Sequence, residues 1–207
     1  LANYGKVPLT ETCTVQLMAG DKVLVSHVFE EATYSCGTLS FVGDLTFPMV
    51  TTEVPLRLQL VVTVGQAENR YPLWVYPDKA LVVPSSVVMT QSAHEARQAL
   101  EAGQKVFYTP PATEEHFPNS IRTQFTTDFW SVGTFPKQEG FMGLLVDPEH
   151  PVLSGFPTEF HSNWQWWPMC QGRAMVLPQK TTALVTGLHS YERMRNLGLL
   201  VECVVGQ

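Results

Sequence analysis

Along the first 77 residues the apolar positions tend to recur at every second place. Cys13, Val15 and Leu17 alternate with polar residues, Ala19-Gly20-Asp21 supplies a turn, and Lys22 to Phe29 reads as the return strand of a hairpin. Leu39 to Phe47 is a third β-rich segment. The clearest strand runs from Leu56 to Val64: Leu56, Leu58, Leu60, Val62 and Val64 share one face, and Arg57, Gln59 and Thr63 lie on the other. Tyr71 to Tyr76 closes the set. Pro48 and Pro55 sit at strand ends, where a missing N–H is tolerated. Several short strands without a helix signal predict a small immunoglobulin-like β-sandwich over residues 1–77.

The pattern changes near Pro77-Asp78. Ala80 to Val83 and Val87 to Met89 are apolar runs of the buried-strand kind. A helix follows, with Ser92 as N-cap, Glu95 three residues on in a capping box, and an apolar stripe of Ala93, Ala96, Ala99 and Leu100. Gly103 stands at its C′ position, and Lys105 to Tyr108 reads as the next strand. A helix followed at once by a strand predicts an α/β layer for residues 78–207. Residues 109 to 140 read as irregular. Gly143 to Val146, Ala174 to Leu177, Ala183 to Thr186 and Leu199 to Val205 are the further strand candidates, and Glu159 to Trp167 a short helix. The last of these strands runs into a turn, so this domain is expected to lack its final strand.

Composition narrows the classes. Of 207 residues, 44% are hydrophobic and 15% charged, a globular balance. The net charge of -6 and the absence of a dense Lys/Arg cluster argue against nucleic acid as a partner. The longest apolar stretches are too short for a membrane span, and no signal-peptide pattern opens the chain. Because the first residue is Leu1, the chain is expected to be a processed or truncated product. Cys13, Cys36, Cys170 and Cys203 contain no C-x-x-C, and the six histidines form no H-x-H or H-x-x-x-H pair, so no metal site is expected. Cys13 and Cys36 are able to pair only if their strands are adjacent; otherwise the four are buried thiols.

The sequence offers little catalytic chemistry. Asp128, Asp147, Glu149 and Glu159 are the carboxylates a glycosidase would draw on, but nothing in their spacing defines a pair. Neither G-x-S-x-G nor a phosphate-binding glycine loop occurs, so no cofactor is expected. Cys170-Gln171-Gly172, with His189 as base and Glu192 as its orienter, is the nearest approach to an acyl-transfer site, and it lacks the upstream glycine. The concentrated signal is aromatic. Residues 156–167 hold three of the five tryptophans, with Trp130 upstream. Indoles stack on the C–H faces of sugars, and Glu159, His161 and Asn163 could bond hydroxyls beside Trp164, Trp166 and Trp167. The competing reading is core packing or a domain interface.

Asn69-Arg70-Tyr71-Pro72-Leu73-Trp74-Val75-Tyr76-Pro77 resembles the last β-sandwich strand of Bacteroides-type family 2 glycoside hydrolases, β-galactosidase-like proteins whose pattern is N-x-W-x-x-W-V-Y-P. Tyr71 stands where that pattern has Trp. Asp128-Phe129-Trp130, Gly143 to Pro151 and Phe156 to Trp167 are similar to the tail of the same proteins. The resemblance implies a parent with a catalytic (β/α)8 barrel, two catalytic glutamates and an exported, periplasmic or secreted, location. The acid/base glutamate of that family follows an asparagine, and no Asn-Glu dipeptide occurs here. A barrel also needs roughly 200–250 residues, so no catalytic residue carries over. For residues 78–207 the resemblance is to the flavodoxin-like, or glutamine-amidotransferase-like, modules attached to some β-galactosidases. The expectation is therefore a non-catalytic accessory module that supports a cleft or subunit assembly. Its partners would be the other domains of the parent hydrolase, carbohydrate, or a second copy in a homo-oligomer. A carbohydrate-binding module and an independent hydrolase or amidotransferase are the alternatives.

Overall fold

The fold was read from a computed structural model, which describes residues 1–80, 82–126 and 139–206. The chain forms two compact units, Leu1–Lys79 and Ala80–Gln207. No helix among the described residues is long and apolar enough to cross a membrane.

The first unit is one antiparallel sheet of four strands: β1 (Leu9–Ala19), β2 (Lys22–Tyr34), β3 (Leu56–Val64) and β4 (Ala67–Val75). Their order is β2-β1-β3-β4. Two hairpins frame it, with Gly20 and Gly65 at the tips. Cross-strand partners Cys13 and Val64, and Val15 and Val62, put their side chains on one face. There Cys13, Tyr34 and Val64 are buried, with Phe29 and Val42 packed against them.

The immunoglobulin-like sandwich is not what forms. A sandwich needs a second sheet over this face, and among the described residues of this unit there is none. Leu39 to Phe47, expected as a strand, is instead an extended strap. It is tied to the chain start, where Leu1 N donates to Ser40 O at 2.7 Å and Ser40 N donates to Leu1 O at 2.7 Å. Val42 enters the core, whereas Leu39 and Phe41 are exposed. Alternating apolar residues are thus used to cover a sheet rather than to join one. The strap also passes close over the Phe29 ring, and a Cβ on Gly43 would overlap it.

The second unit contains a small β-α-β element and a separate five-stranded sheet. In the first, β5 (Val87–Thr90) and β6 (Lys105–Tyr108) are parallel and are joined by α1 (Ala93–Glu101). Ser92 Oγ accepts from Glu95 N at 3.3 Å. The return half of the capping box runs through a relay: Thr90 Oγ1 accepts from Ser92 N at 3.0 Å and donates to the Glu95 carboxylate at 2.6 Å. At the other end Gly103, at φ 73°, lets Gln104 N reach Ala99 O and its own N reach Leu100 O, the paired bonds of a Schellman turn.

The five-stranded sheet has the order β7-β9-β11-β10-β8 and is antiparallel at every pairing. Its strands are β7 (Ser120–Arg122), β8 (Leu144–Val146), β9 (Arg173–Val176), β10 (Val185–Gly187) and β11 (Leu197–Leu200). This overturns the flavodoxin-like, amidotransferase-like expectation. Such a fold stacks parallel strands through helical crossovers. Here the described connections among these strands are loops and two 3-10 turns, Pro151–Leu153 and Trp164–Trp166. With no helix in them, short strands pair head to tail. Residues 82–86 are not a strand, and Val82 is exposed. The final strand ends at Leu200, with 201–206 outside any strand. Ile121, Ala174 and Leu197 form one buried cluster, and Phe141, Leu144, Val146, Leu153, Trp166, Cys170 and Val185 another.

Replacing Gly43 with Ala should destabilise the first unit by about 1–3 kcal/mol, the range for a forced overlap in a packed site. Urea unfolding of the variant against the parent chain measures it.

Candidate functional site

The segment expected to carry the site is sorted by a single turn of 3-10 helix. Asn163 caps it, its Oδ1 accepting from Gln165 N at 3.2 Å. With three residues per turn, positions 164 and 167 share one edge and positions 165 and 166 turn inward. Exposure follows that rule: Trp164 is 57% and Trp167 63% exposed, whereas Gln165 is 8% and Trp166 7%. Trp166 belongs to the core. Its Nε1 donates to Thr158 Oγ1 at 2.9 Å, and its ring meets Phe156 edge-on at 5.0 Å.

The other expected contact residues are mostly occupied in holding this turn. Asn163 Nδ2 donates to the half-buried Glu159 carboxylate, and Gln165 Nε2 donates to Pro157 O at 2.8 Å. His161 is exposed, with Nδ1 against Ser162 O at 3.1 Å and its ring against Phe160. Trp130 lies outside the described residues, as does Asp128. Of the expected sugar-contact residues that are described, only Trp167 lines the cleft described next, together with Cys170, Gln171 and Gly172 of the acyl-transfer candidate.

That cleft has a volume of about 630 Å³. Thr123 and Gly172, which line it, extend the pairing of β7 with β9 by one step. Thr123 N donates to Gly172 O at 2.9 Å, and Gly172 N returns a bond to Thr123 Oγ1 at 2.6 Å. On one side stand Phe125 and Trp167, their rings stacked at 5.6 Å and 12°. Phe125 is itself fixed edge-on by the fully buried Phe141, with centroids 5.0 Å apart. Backbone bonds from Phe141 N to Gln124 O and from Thr126 N to Phe141 O hold that pair in register. The exposed indole is therefore the outermost of three rings that begin in the core.

The polar side of the cleft is basic. Arg122 and Arg173 are direct cross-strand partners on β7 and β9 and line the cleft together, with Gln124 and Gln171 as further polar neighbours. Ser120 Oγ accepts from Arg173 Nε at 2.6 Å, and Ser120 O accepts from its second guanidinium nitrogen at 3.1 Å. Sequence reasoning missed both arginines. They lie 51 positions apart, and only the β7–β9 register joins them. Ala112, Cys170 and Gly172 complete the lining.

Cys170 is no activated nucleophile. It is 3% exposed, and burial pushes its thiol up to about 11, away from the thiolate that attack requires. His189 Nδ1 accepts from Arg195 N at 3.2 Å, as part of the turn following β10. Cys13 is buried as well, and burial raises it in the same direction. All four cysteines are free thiols, so Cys13 and Cys36 do not pair. Among the described residues, no group of three His, Cys, Asp or Glu side chains is placed to hold a metal ion.

Two family models match the sequence. One, a domain of unknown function (DUF8488), covers residues 1–77, and the other, a domain of unknown function (DUF8487), covers residues 87–207. No curated protein matches it.

Thiol chemistry checks the buried cysteines. The exposed Cys203 should alkylate first in the folded chain, with Cys13 and Cys170 protected until it unfolds. The unfolded Cys170 thiol, at 9.0, loses its proton before the folded one at about 11. Its ionisation should therefore leave stability unchanged well below pH 9 and lower it between about pH 9 and 11. Mass-resolved iodoacetamide labelling and unfolding at stepped alkaline pH read both effects.

Proposed function

We propose, for a chain that belongs to the DUF8487 family of domains of unknown function, that it is a non-catalytic accessory region of a carbohydrate-active protein. In this reading its second unit contacts saccharide at the Trp167 cleft. The observation that carries the reading is the exposed Trp167 indole, stacked on Phe125 and flanked by hydrogen-bonding side chains. An aromatic face held in advance loses little conformational freedom when a sugar ring lies against it. The side chains around it present both donors and acceptors, as hydroxyl recognition needs.

The likeness of Asn69 to Pro77 to a family 2 glycoside hydrolase strand supports the class of parent, and an exported location goes with it. That stretch falls largely on β4, where Trp74 packs under the Arg57 guanidinium at 5.8 Å. The non-catalytic part of the reading is supported by the buried, protonated Cys170. It also rests on the lining of the cleft, which among the described residues includes no carboxylate.

Titration of the chain with a panel of oligosaccharides, followed by tryptophan fluorescence and calorimetry, tests the proposal. Trp167→Ala should weaken binding by about tenfold or more, the loss of roughly 1.4 kcal/mol of stacking. Trp166→Ala should instead lower stability by about 3–5 kcal/mol, as for other buried aromatics. Binding that survives Trp167→Ala at full strength sinks the site. Turnover of aryl-glycosides by the chain alone sinks the non-catalytic reading.

A further inference from the structure

The charge inside the cleft does not match the charge of the chain. Acids outnumber Lys and Arg overall, 19 to 13, yet among the described residues the side chains lining the cleft include two arginines and no acid. Arg122 and Arg173 sit directly opposite each other on antiparallel strands, where Cβ atoms are about 4.5–5.5 Å apart and like charges repel. Elsewhere in this unit the same problem is solved with a carboxylate: Arg193 and Arg195 converge on Glu139 at 3.1 and 3.0 Å. Neither Arg122 nor Arg173 has an ion-pair partner among the described residues. The Ser120 contacts orient Arg173 without neutralising it.

Resting on the reading above, we infer that the Trp167 cleft takes an acidic saccharide residue. Its carboxylate or sulfate would sit on Arg122 and Arg173 while its ring stacks on Trp167. The guanidinium fork matches the paired oxygens of either anion and forms charge-assisted bonds to them. An anion between the two arginines would also relieve their repulsion. A neutral sugar offers no such gain, so the pair selects for charge.

Calorimetric titration of the full chain compares four ligands: a neutral galacto-oligosaccharide, an oligogalacturonate and a sulfated galacto-oligosaccharide of the same length, and inorganic sulfate. At least one acidic sugar should bind about tenfold or more tightly than the neutral one, a difference of about 1.4 kcal/mol. Added salt should weaken the acidic ligands far more than the neutral one. Arg122→Gln should remove the margin, weakening the acidic ligands far more than the neutral one. The exposed position of Arg122 makes this variant safe for folding, and Arg173→Lys, which retains the charge, serves as the second. Whichever acidic sugar binds more tightly identifies the anion.

Equal affinity for neutral and acidic sugars overturns the inference but leaves the saccharide reading intact. Inorganic sulfate binding as tightly as the sulfated sugar overturns it too, because the ring then contributes nothing. An unchanged margin in Arg122→Gln does the same. Binding of none of the four overturns the saccharide reading itself.

Discussion

Burial of Phe141 is the constraint on which the second unit's working surface depends. The ring is fully buried among residues from β8 and β10 and from the turn that carries Trp166 and Cys170. It presents its edge or face to Phe125, and Phe125 stacks on Trp167. A solvent-exposed indole would otherwise sample several rotamers. Tied through two aromatic contacts to a closely packed core, it is held in one orientation. The same core excludes water from Cys170, so the contacts that prepare a binding face also hold the nearest thiol in its protonated form.

Much of the local structure was legible in the sequence. Ser92, Glu95 and Gly103 mark the ends of α1 because capping is local chemistry, decided within four or five residues. The strand at Leu56–Val64 is legible for the same kind of reason, since its alternation spans nine residues. Yet Val61, on the face that reads as polar, is 2% exposed, so that face is covered at this position while Arg57 on the same face stays exposed. The architecture was not legible. Short apolar runs such as Leu144–Val146 and Val185–Gly187 look alike in parallel and antiparallel sheets. The orientation is set by the connections, whose loops and 3-10 turns leave no strong periodic signal. The sandwich failed for a related reason: Leu39 to Phe47 has strand-like composition but pairs with the chain start through a single bridge and contributes Val42 to a core.

The site divides along the same line. The aromatic segment was visible as composition, but which indole faces solvent depends on one turn of helix, not on residue type. Arg122 and Arg173 were invisible, because no local pattern links residues whose proximity comes from strand register. The result is a cleft that joins a short-range feature, the indole at the end of a 3-10 turn, to a long-range one, a pair of like charges. An acidic chain that concentrates two cations in one concavity, with no acid beside them among the described residues, pays for that arrangement in repulsion.

The sorting of Trp166 from Trp167 also bears on how this surface can change over evolutionary time. Neighbouring indoles with opposite fates differ by one step of about 120° around a three-residue turn. Gain of a single residue between Pro157 and Asn163 would rotate the turn and exchange their roles, without altering any aromatic residue. Loop length ahead of the turn is therefore an inheritable dial. Descendants with identical tryptophans could present quite different faces, and comparison by residue identity alone would not tell them apart.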